Sequence, residues 1–508
     1  MNNNLIFGLD GATFRVLSKL MEKGIMPYMN NFKKDGAVSI LDATFPPITV
    51  PGWLCIATGS DPGTLGIFDF GEYAPYPELN KPAIHNVEKK KIWDYFSRLG
   101  YRSAVINFPY YTTFRINGVY IGGLLVTNEH YTYPEQFKEE IKNIVKDYQT
   151  EVDLKNASVN DILNRCIYTI KQKVDLTKYI IKKYDPKFLF VIFSEVDRIE
   201  HKLWPYIDPL YKLPKMGIEN IDHDLLNKFW NTIDSSMMEI EKSYIGNTDG
   251  NVFIVSDHGA GPIYRTFYIN EWLLKNGYLY MKNNAQSKGS TRIPLIQKIY
   301  AIVRKHPFLD KHLTITKSKW LFDLIMKFTK NVGFEKKFED VKEYIDWEKT
   351  IAYEFPIYGA IFLNKKNKRI MDDISYKKEI INKLRKELEN MNEIKLKTYI
   401  PEELYIGKNL DLSPDLFIVG DDFEAMISSG FSDGKIILDY PPKMLTGTHR
   451  MDGIFLAKGT SIIKNYHDFK IRMIDIAPTI LSLNGIVFDK MDGLPVRDIF
   501  YNKSKDIN

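Results

Sequence analysis

The sequence predicts an α/β fold in which a mostly parallel central sheet is covered by helices and carries an inserted cap region. Three apolar runs, LIFGLD, KFLFVIFSEVD and NVFIVSD, are continuous rather than alternating, which is typical of strands buried on both faces. Each run ends at an acid, namely Asp10, Asp197 and Asp257. Helical patterns such as KIWDYFSRLG separate the runs, and this alternation favours an open α/β sheet.

The order of these patterns predicts a large core that is interrupted by inserted segments. A helical pattern runs from 154 to 184, and core-like character continues to about residue 280. A basic helical segment follows, and then a mixed region with short strands such as GAIFLN and a charged helix, KKEIINKLRKELENM. We therefore expect four ranges: core at 1–280, a basic helical insertion at 281–345, an α+β cap at 346–445, and core again at 446–508.

Positive charge is concentrated in one segment of the chain. The formal net charge is +5, but residues 282–342 contain 14 basic and 5 acidic residues, an excess of +9. Lys and Arg stand there beside Leu, Ile, Trp and Phe in amphipathic helical patterns. We favour the solvated face of a helical insertion. A weak contact with an anionic membrane surface, or with a polyanionic substrate, is the alternative interpretation.

Several classes of protein are disfavoured. Cys55 and Cys166 are the only cysteines, so a disulfide framework and a cysteine zinc cluster are excluded, and a reducing interior is the simplest compartment. The amino terminus runs into a strand without a signal-peptide pattern, and no run of about 18 apolar residues occurs, so we expect the cytoplasm. Nucleic-acid binding has little support, because GLDGATF lacks the spacing of a phosphate-binding loop and no basic stripe alternates with aromatics. The oligomeric state is left open.

Acids and histidines near the predicted strand ends form a candidate metal site. Parallel strands present their carboxyl ends at one edge of a sheet, where ligands bind, so acids at three such ends are expected to converge. Asp197 and His201 are four residues apart, which places both on one face of a helical turn. A single histidine is more often structural, but the joint pattern favours shared metal ions. The candidates are Asp10, Asp197, His201, Asp257, His258 and His449, the last in a Gly-flanked loop before a strand.

A threonine hydroxyl is the candidate nucleophile. Thr49 precedes Pro51 and the segment WLCIATG, a pattern that fits an N-cap followed by a short helix. A hydroxyl there would face the positive end of the helix, where backbone N–H groups can also hold a phosphoryl oxygen. Coordination to a divalent ion would make an alkoxide available near neutral pH. Without the metal ligands, an ordinary N-cap would be the better interpretation.

Together, these residues resemble the alkaline phosphatase superfamily, and within it the type I phosphodiesterase/nucleotide pyrophosphatase family. The resemblance covers most of the chain and rests on GLDGA, TGSDPGTLGIFD, the D-x-x-x-H pair, SDHG, a late G-x-H and IDIAPTIL. It implies an alkaline phosphatase-like fold and two divalent cations, expected to be Zn²⁺. One would be held by Asp197, His201 and His449, and the other by Asp10, Asp257, His258 and Thr49. It also implies that Thr49 attacks the phosphorus of a small phosphate ester, forming a phosphothreonine that water then hydrolyses.

Two departures from the family pattern concern the nucleophile and the substrate. The nucleophile often reads T-F-P, which matches Thr44 and the two residues after it, but the family spacing of nine residues, counted back from Thr58, points to Thr49. We choose Thr49 and keep Thr44 as the alternative. Phe70 stands where the nucleotide pyrophosphatases carry an Asn that donates to the phosphate, so nucleotide specificity is doubtful.

The sequence thus predicts a metal-dependent hydrolase of phosphodiester or pyrophosphate bonds. Two alternatives within the superfamily stay open: a phosphomonoesterase, and a lipid or glycan phosphodiester transferase. A non-catalytic metal-binding module is the alternative of a different class. A sulfatase is disfavoured, because Cys55 lies in LCIAT and does not fit the C/S-x-P-x-R pattern.

Overall fold

The computed structural model describes most of the chain as two compact units. The first unit comprises Met1–Ile263, Glu402–Ser413 and Lys443–Asn508, and the second comprises Tyr264–Pro401 and Pro414–Pro442. The four ranges expected from the sequence stay a prediction. Most of the basic insertion, with its predicted membrane contact, lies outside the described residues. Those residues are 1–70, 87–127, 129–154, 157–208, 210–211, 221–246, 248–282, 341–355, 359–432, 434–439, 445–467 and 469–501.

The strands are numbered here in chain order. They are β1 Asn3–Leu9, β2 Gly36–Asp42, β3 Ser103–Phe108, β4 Gly118–Gly122, β5 Thr132–Tyr133, β6 Phe188–Phe193, β7 Gly250–Val255, β8 Gly259–Pro262, β9 Arg265–Tyr268, β10 Ala352–Glu354, β11 Ala360–Leu363, β12 Leu396–Tyr399, β13 Leu416–Gly420, β14 Ala425–Ser428, β15 Ile437–Leu438, β16 Gly447–Arg450, β17 Asp452–Gly459 and β18 Ile471–Arg472.

The α-helices of the described residues follow the same numbering. They are α1 Phe14–Glu22, α2 Pro27–Asp35, α3 Thr49–Thr58, α4 Pro62–Leu65, α5 Ile92–Arg98, α6 Phe137–Ile144, α7 Val159–Tyr184, α8 Glu195–Ile207, α9 His223–Tyr244, α10 Ile269–Lys275, α11 Lys368–Asp372, α12 Ile374–Glu389, α13 Pro401–Leu404 and α14 Ile476–Leu483. Within the described part of the chain, none of the helices combines the length and the hydropathy that a bilayer crossing requires.

The central sheet of the first unit has nine strands in the order β18-β2-β17-β7-β1-β6-β3-β4-β5. The five neighbours from β7 to β4 run parallel to one another, whereas β17 is antiparallel to both β7 and β2. Every residue of β1, β3, β6 and β7 is buried, as expected for parallel strands covered on both faces. The predicted α/β class with a mostly parallel sheet is therefore confirmed.

Alternating side chains of β1 show how helices cover both faces of this sheet. Leu5 and Phe7 pack into one hydrophobic cluster together with side chains of α7 and α9. Ile6 points to the opposite face and packs into a second cluster with side chains of α3 and α14. Because successive residues of a strand point to opposite faces, a single apolar run can serve both clusters.

The sheet brings the ends of three predicted strands to one edge. β1 lies between β6 and β7 and is parallel to both, so the carboxyl ends of all three are neighbours. Asp10 follows β1 directly, and Asp257 lies two residues beyond β7. The sequence-based prediction for Asp197 needs a correction, because β6 ends at Phe193 and Asp197 is the third residue of α8.

The second unit combines strands and helices. Its sheet has the order β10-β11-β13-β14-β9-β15, with β12 paired to β13. Most of its ladders are antiparallel, and only β14 and β9 run parallel. Helix α12, which the sequence predicted from its charged pattern, begins after Asp373, whose side chain accepts a hydrogen bond from the Tyr376 backbone N–H.

A buried ion pair fixes the start of α8 in the first unit. Lys173 of α7 lies 2.8 Å from Glu195, the first residue of α8, and their side chains are only 2% and 1% exposed. The Lys173 ammonium also donates to the Ile192 carbonyl at 3.2 Å, and the Thr169 hydroxyl donates to Glu195 at 2.7 Å. Because both charges have hydrogen-bonding partners, the pair holds α8 against α7 although it is removed from water.

We expect the substitution Lys173→Met to destabilise the first unit strongly. It would leave the Glu195 carboxylate buried without its counter-charge, a loss of about 3–5 kcal/mol in the free energy of unfolding. Urea denaturation followed by tryptophan fluorescence measures this loss. Lys178→Met is the matched control on the same helix, because Lys178 pairs with Glu239 at the surface, where such pairs contribute about 0–1 kcal/mol. Equal losses for the two variants would contradict the prediction.

Candidate metal centre

The structure brings all seven candidate residues together in the first unit. Each has at least one side-chain atom within 3.6 Å of another member of the set. They come from five separate elements or their ends, so the cluster exists only in the folded chain. Its members are Asp10, Thr49, Asp197, His201, Asp257, His258 and His449.

The first group of contacts centres on one carboxylate oxygen. The Oδ1 atom of Asp197 lies 3.1 Å from Nε2 of His201 and 3.4 Å from Nε2 of His449. The two Nε2 atoms are 3.1 Å apart. The i, i+4 spacing on α8 thus places Asp197 and His201 side by side, as the sequence predicted.

His449 reaches this group from a short strand rather than from a loop. The sequence predicted a Gly-flanked loop, and this was wrong, because His449 lies in β16, which pairs antiparallel with β8. In that ladder His449 is opposite Ala260, two residues after His258. The pairing explains why the rings of His258 and His449 stack with centroids 3.6 Å apart.

The second group centres on His258. Its Nε2 atom lies 3.3 Å from Oδ2 of Asp257, 3.6 Å from Oδ1 of Asp10 and 3.4 Å from the Thr49 hydroxyl. The other oxygen of Asp257 accepts a hydrogen bond from the Gly11 backbone N–H at 3.1 Å. The three residues Asp10, Asp257 and His258 are at most 2% exposed.

The histidine rings present lone pairs to the cluster. The Nδ1 atoms of His201, His258 and His449 lie 2.8, 3.0 and 2.6 Å from the carbonyls of Gly447, Gly259 and Pro47. A carbonyl only accepts hydrogen bonds, so each Nδ1 carries a proton, and each ring in its neutral form then turns the Nε2 lone pair inwards. This is the arrangement in which the backbone orients a metal-ligating imidazole.

Buried acceptors without donors complete the case for a cation. Within the described residues, Oδ1 of Asp10 and Oδ2 of Asp257 are buried and accept no hydrogen bond. Buried carboxylates are costly unless they are paired or coordinate a metal. Two sets of residues have ligand atoms within 4.8 Å of one another, namely Asp197, His258 and His449, and Asp10, Asp257 and His258. The donor set therefore fits divalent metal, and His258 belongs to both sets.

The pKa values of Asp10, Asp257 and His258 shift in the directions expected for buried groups, whereas His201 holds the pKa of Asp197 well below its usual value against the effect of burial. Burial raises the pKa of Asp10 well above its usual value, and the negative charge of Asp197 raises it further. Burial and the charge of Asp10 likewise raise the pKa of Asp257. Burial and the neighbouring His449 hold the pKa of His258 well below its usual value. A bound cation would stabilise the ionised carboxylates of Asp10 and Asp257 and so lower their pKa values.

Thr49 is the first residue of α3, not its N-cap. The prediction of a Thr N-cap was wrong, because Ile48 is the N-cap residue and no side chain caps the helix. The Thr49 hydroxyl is therefore not used in capping and faces His258 at 3.4 Å. The Thr44 side chain instead lies beside the buried Cys55 thiol. The geometry favours Thr49 over Thr44 as the hydroxyl of this site.

Four residues next to the cluster were not predicted from the sequence. The indole N–H of Trp53 donates to Oδ2 of Asp10 at 3.2 Å. Arg198, which pairs with Glu151, also contacts Asp197. Both carboxyl oxygens of Glu200 are buried and accept no hydrogen bond from the described residues. Arg198 and Glu200 stand between the predicted ligands Asp197 and His201 in the sequence. No local pattern indicated that their side chains point towards the cluster.

The segment GIFDF contains the apolar side chain of Phe70 and the buried carboxyl group of Asp69. Phe70 is partly buried and packs against the second hydrophobic cluster. Asp69 is buried, and desolvation raises its pKa to about 8, although its Oδ1 accepts a hydrogen bond from the Phe70 backbone N–H. The expected departure from the family pattern at residue 70 stays a prediction, and the Phe70 ring cannot donate a hydrogen bond to a phosphate.

Comparison with known families adds to this geometry. The family model described as "Type I phosphodiesterase / nucleotide pyrophosphatase" matches residues 4–435. The chain belongs to this family. Its members are hydrolases of phosphate esters, so the chain is an enzyme of the phosphodiesterase/nucleotide pyrophosphatase type. The match includes six of the seven candidates and ends before His449, which the fold places beside the other six.

Solved structures of similar fold come from ectonucleotide pyrophosphatase/phosphodiesterase 5. The human protein aligns with a TM-score of 0.51 and 14% identity over 98% of this chain and 100% of its own. The murine protein, as an inactive variant in complex with AMP, aligns with a TM-score of 0.51 and 15% identity over 99% and 100%. At these identities the likeness concerns the fold, which is that of the phosphodiesterase family. No curated protein sequence matches the chain.

We expect metal to stabilise this phosphodiesterase family member measurably. A ligand that binds only the folded state adds about 2.7 kcal/mol when its concentration is 100 times its dissociation constant. Zn²⁺ should therefore raise the melting temperature of chelator-treated protein, as followed by differential scanning fluorimetry. His449→Ala should lose most of the increase, whereas His130→Ala, at an exposed position, should keep it. An unchanged increase in His449→Ala would contradict a cation at this cluster.

Proposed function

We propose that the chain is a metal-dependent hydrolase of phosphodiester or pyrophosphate bonds in which Thr49 is the nucleophile. The observation that carries the proposal is the position of the Thr49 hydroxyl, 3.4 Å from His258 in a cluster of inward-facing acceptors. The hydroxyl belongs to the first residue of a ten-residue helix, whose first N–H groups have no partner within the helix. A threonine without a capping role, set among metal-type ligands, is suited to attack an electrophile.

We propose two divalent cations for this cluster. Asp197, His201 and His449 would hold one, and Asp10, Asp257, His258 and Thr49 would hold the other. Zn²⁺ suits these imidazole and carboxylate donors. When bound, such a pair lowers the pKa of the nucleophilic hydroxyl and stabilises the charges of the attacking and leaving oxygens.

The residues of the chain itself supply orientation and anion binding. The Thr49 oxygen forms a bond to phosphorus as the bond to the leaving oxygen breaks, which gives a phosphothreonine. The backbone N–H groups at the start of α3, next to the Thr49 hydroxyl, would hold a non-bridging phosphoryl oxygen. Water then attacks the phosphothreonine and restores the hydroxyl. Burial of the cluster excludes other water from the acids and strengthens each of these interactions.

The substrate class proposed is a small phosphate ester. The complex of the murine structural neighbour with AMP supports a nucleotide as one member of that class. A second candidate function rests on Phe70, whose apolar ring stands, by the resemblance, where the nucleotide pyrophosphatases carry an amide donor. A phosphomonoesterase, or a phosphodiester transferase acting on lipid or glycan, would depend less on that donor. The cytoplasmic location stays a prediction, and the oligomeric state stays open.

We expect Thr49→Ala to abolish turnover of bis-p-nitrophenyl phosphate, with a loss of about 1,000-fold or more in kcat, because a covalent nucleophile has no substitute in the cluster. Thr44→Ala is the matched control, since its hydroxyl lies beside Cys55 instead, and should retain turnover within about threefold. Metal content, measured by elemental analysis, should be retained in both variants, because the three acids and three histidines remain.

The outcomes separate the candidate functions. Preference for the diester over p-nitrophenyl phosphate supports the proposal, and the reverse preference supports the phosphomonoesterase. Loss of turnover in Thr44→Ala but not in Thr49→Ala would overturn the assignment of the nucleophile. A wild-type protein that binds no metal and turns over neither compound would refute the proposal and favour a binding module.

A further inference from the structure

Asp197 uses its two carboxylate oxygens differently. Oδ1 faces Nε2 of His201 at 3.1 Å and Nε2 of His449 at 3.4 Å. Oδ2 turns away and accepts a hydrogen bond from Nη1 of Arg198 at 3.2 Å. Asp197 is 8% exposed, so neither oxygen is well hydrated. The carboxylate therefore has one oxygen available for a cation and one held by the protein.

Arg198 is itself held in place by Glu151. Nε and Nη2 of the guanidinium donate to the two oxygens of Glu151 at 3.1 and 3.2 Å. This two-bond arrangement fixes the plane of the guanidinium and leaves Nη1 free for Asp197. The Arg198 and Glu151 side chains are 20% and 24% exposed. Because water has limited access, the pair is ordered more strongly than a surface ion pair.

The charges of this arrangement balance. The guanidinium brings one positive charge beside Asp197, and the Glu151 carboxylate offsets it. Arg198 can thus direct the Asp197 carboxylate without adding net charge that would repel a metal ion. The corresponding contact on the other side of the cluster is neutral, since Oδ2 of Asp10 accepts from the Trp53 indole. In the described part of the chain, Asp197 is the one acid of the cluster that accepts a hydrogen bond from a cationic side chain.

We propose that Arg198, held by Glu151, is a positioning residue that keeps Oδ1 of Asp197 directed at His201 and His449, and thereby sets the affinity of the cation bound there. This inference rests on the proposed function. Partners behind a metal ligand orient it, and their loss typically weakens metal binding by about 10- to 100-fold. The effect falls on one of two cations, because Arg198 donates to Asp197 and not to the ligands grouped around His258.

The test measures both zinc affinities by competition with a chromophoric chelator. We expect Arg198→Met to weaken one binding step by about 10- to 100-fold and to change the other by less than about threefold. The weakened step should be the one that His201→Ala removes. Arg198→Lys keeps the charge but lacks the planar fork, and should fall between the wild type and Arg198→Met. Glu151→Gln, which leaves Arg198 in place but unclamped, should weaken the same step.

The control tests whether any loss of packing beside this loop gives the same result. Arg165 contacts the Asp153 carbonyl, two residues from Glu151. Arg165→Met should therefore leave both zinc affinities unchanged. Circular dichroism verifies that each variant folds. If Arg198→Met does not fold, the zinc affinities of Glu151→Gln test the positioning role instead.

Each outcome has a separate meaning. Two unchanged affinities in Arg198→Met and Glu151→Gln, or an equal loss at both steps, would overturn the positioning role while leaving the proposed function intact. A wild-type protein that binds no zinc would overturn the proposed function, and the positioning role with it. Selective weakening of the binding step that needs His201 supports the inference. A zinc affinity of Arg198→Lys between those of the wild type and Arg198→Met supports a role for the planar guanidinium.

Discussion

The candidate metal centre of the first unit contains more buried hydrogen-bond acceptors than donors, and the structure of the unit has to accommodate this imbalance. Three carboxylates and three imidazoles meet in a space where the backbone already occupies the Nδ1 protons of all three rings. Such a set is unstable in a low-dielectric interior unless a positive charge enters it. The other features of the unit, from its parallel strands to its buried ion pairs, keep these groups close despite their mutual repulsion.

The sheet provides the rigidity that this repulsion demands. Strand β1 lies between two parallel neighbours and is buried along its whole length, so Asp10 has little freedom to retreat. Helix α8 is anchored at its first turn by Glu195 and again by Arg198, on either side of Asp197. Functional groups set on rigid elements and supported from behind are held more closely than groups on free loops. Asp10 and Asp197 are thus both supported by rigid elements.

The sequence allowed the fold class and the convergence of the site to be predicted, because both depend on local patterns. Continuous apolar runs indicate parallel buried strands, and parallel strands share an edge. Features that depend on pairing over long distances were missed. His449 joins a two-stranded ladder with β8, and Glu151 meets Arg198 across 47 residues. The N-cap assignment for Thr49 failed because boundaries at a helix start differ by one residue, and one residue decides where a hydroxyl points.

The cluster is completed only when β16 pairs with β8, so its assembly depends on the order in which the chain is synthesised. Residues near 10, 49, 197 and 258 leave the ribosome well before His449, and domains fold from the amino-terminal side as they emerge. Until β16 pairs with β8, the cluster lacks its last imidazole. A nascent or truncated chain would consequently carry the threonine and most of the acids, yet hold an incomplete set of ligands. Any hydrolytic capacity that needs the complete set of ligands would then arise only once β16 has been made and has paired with β8.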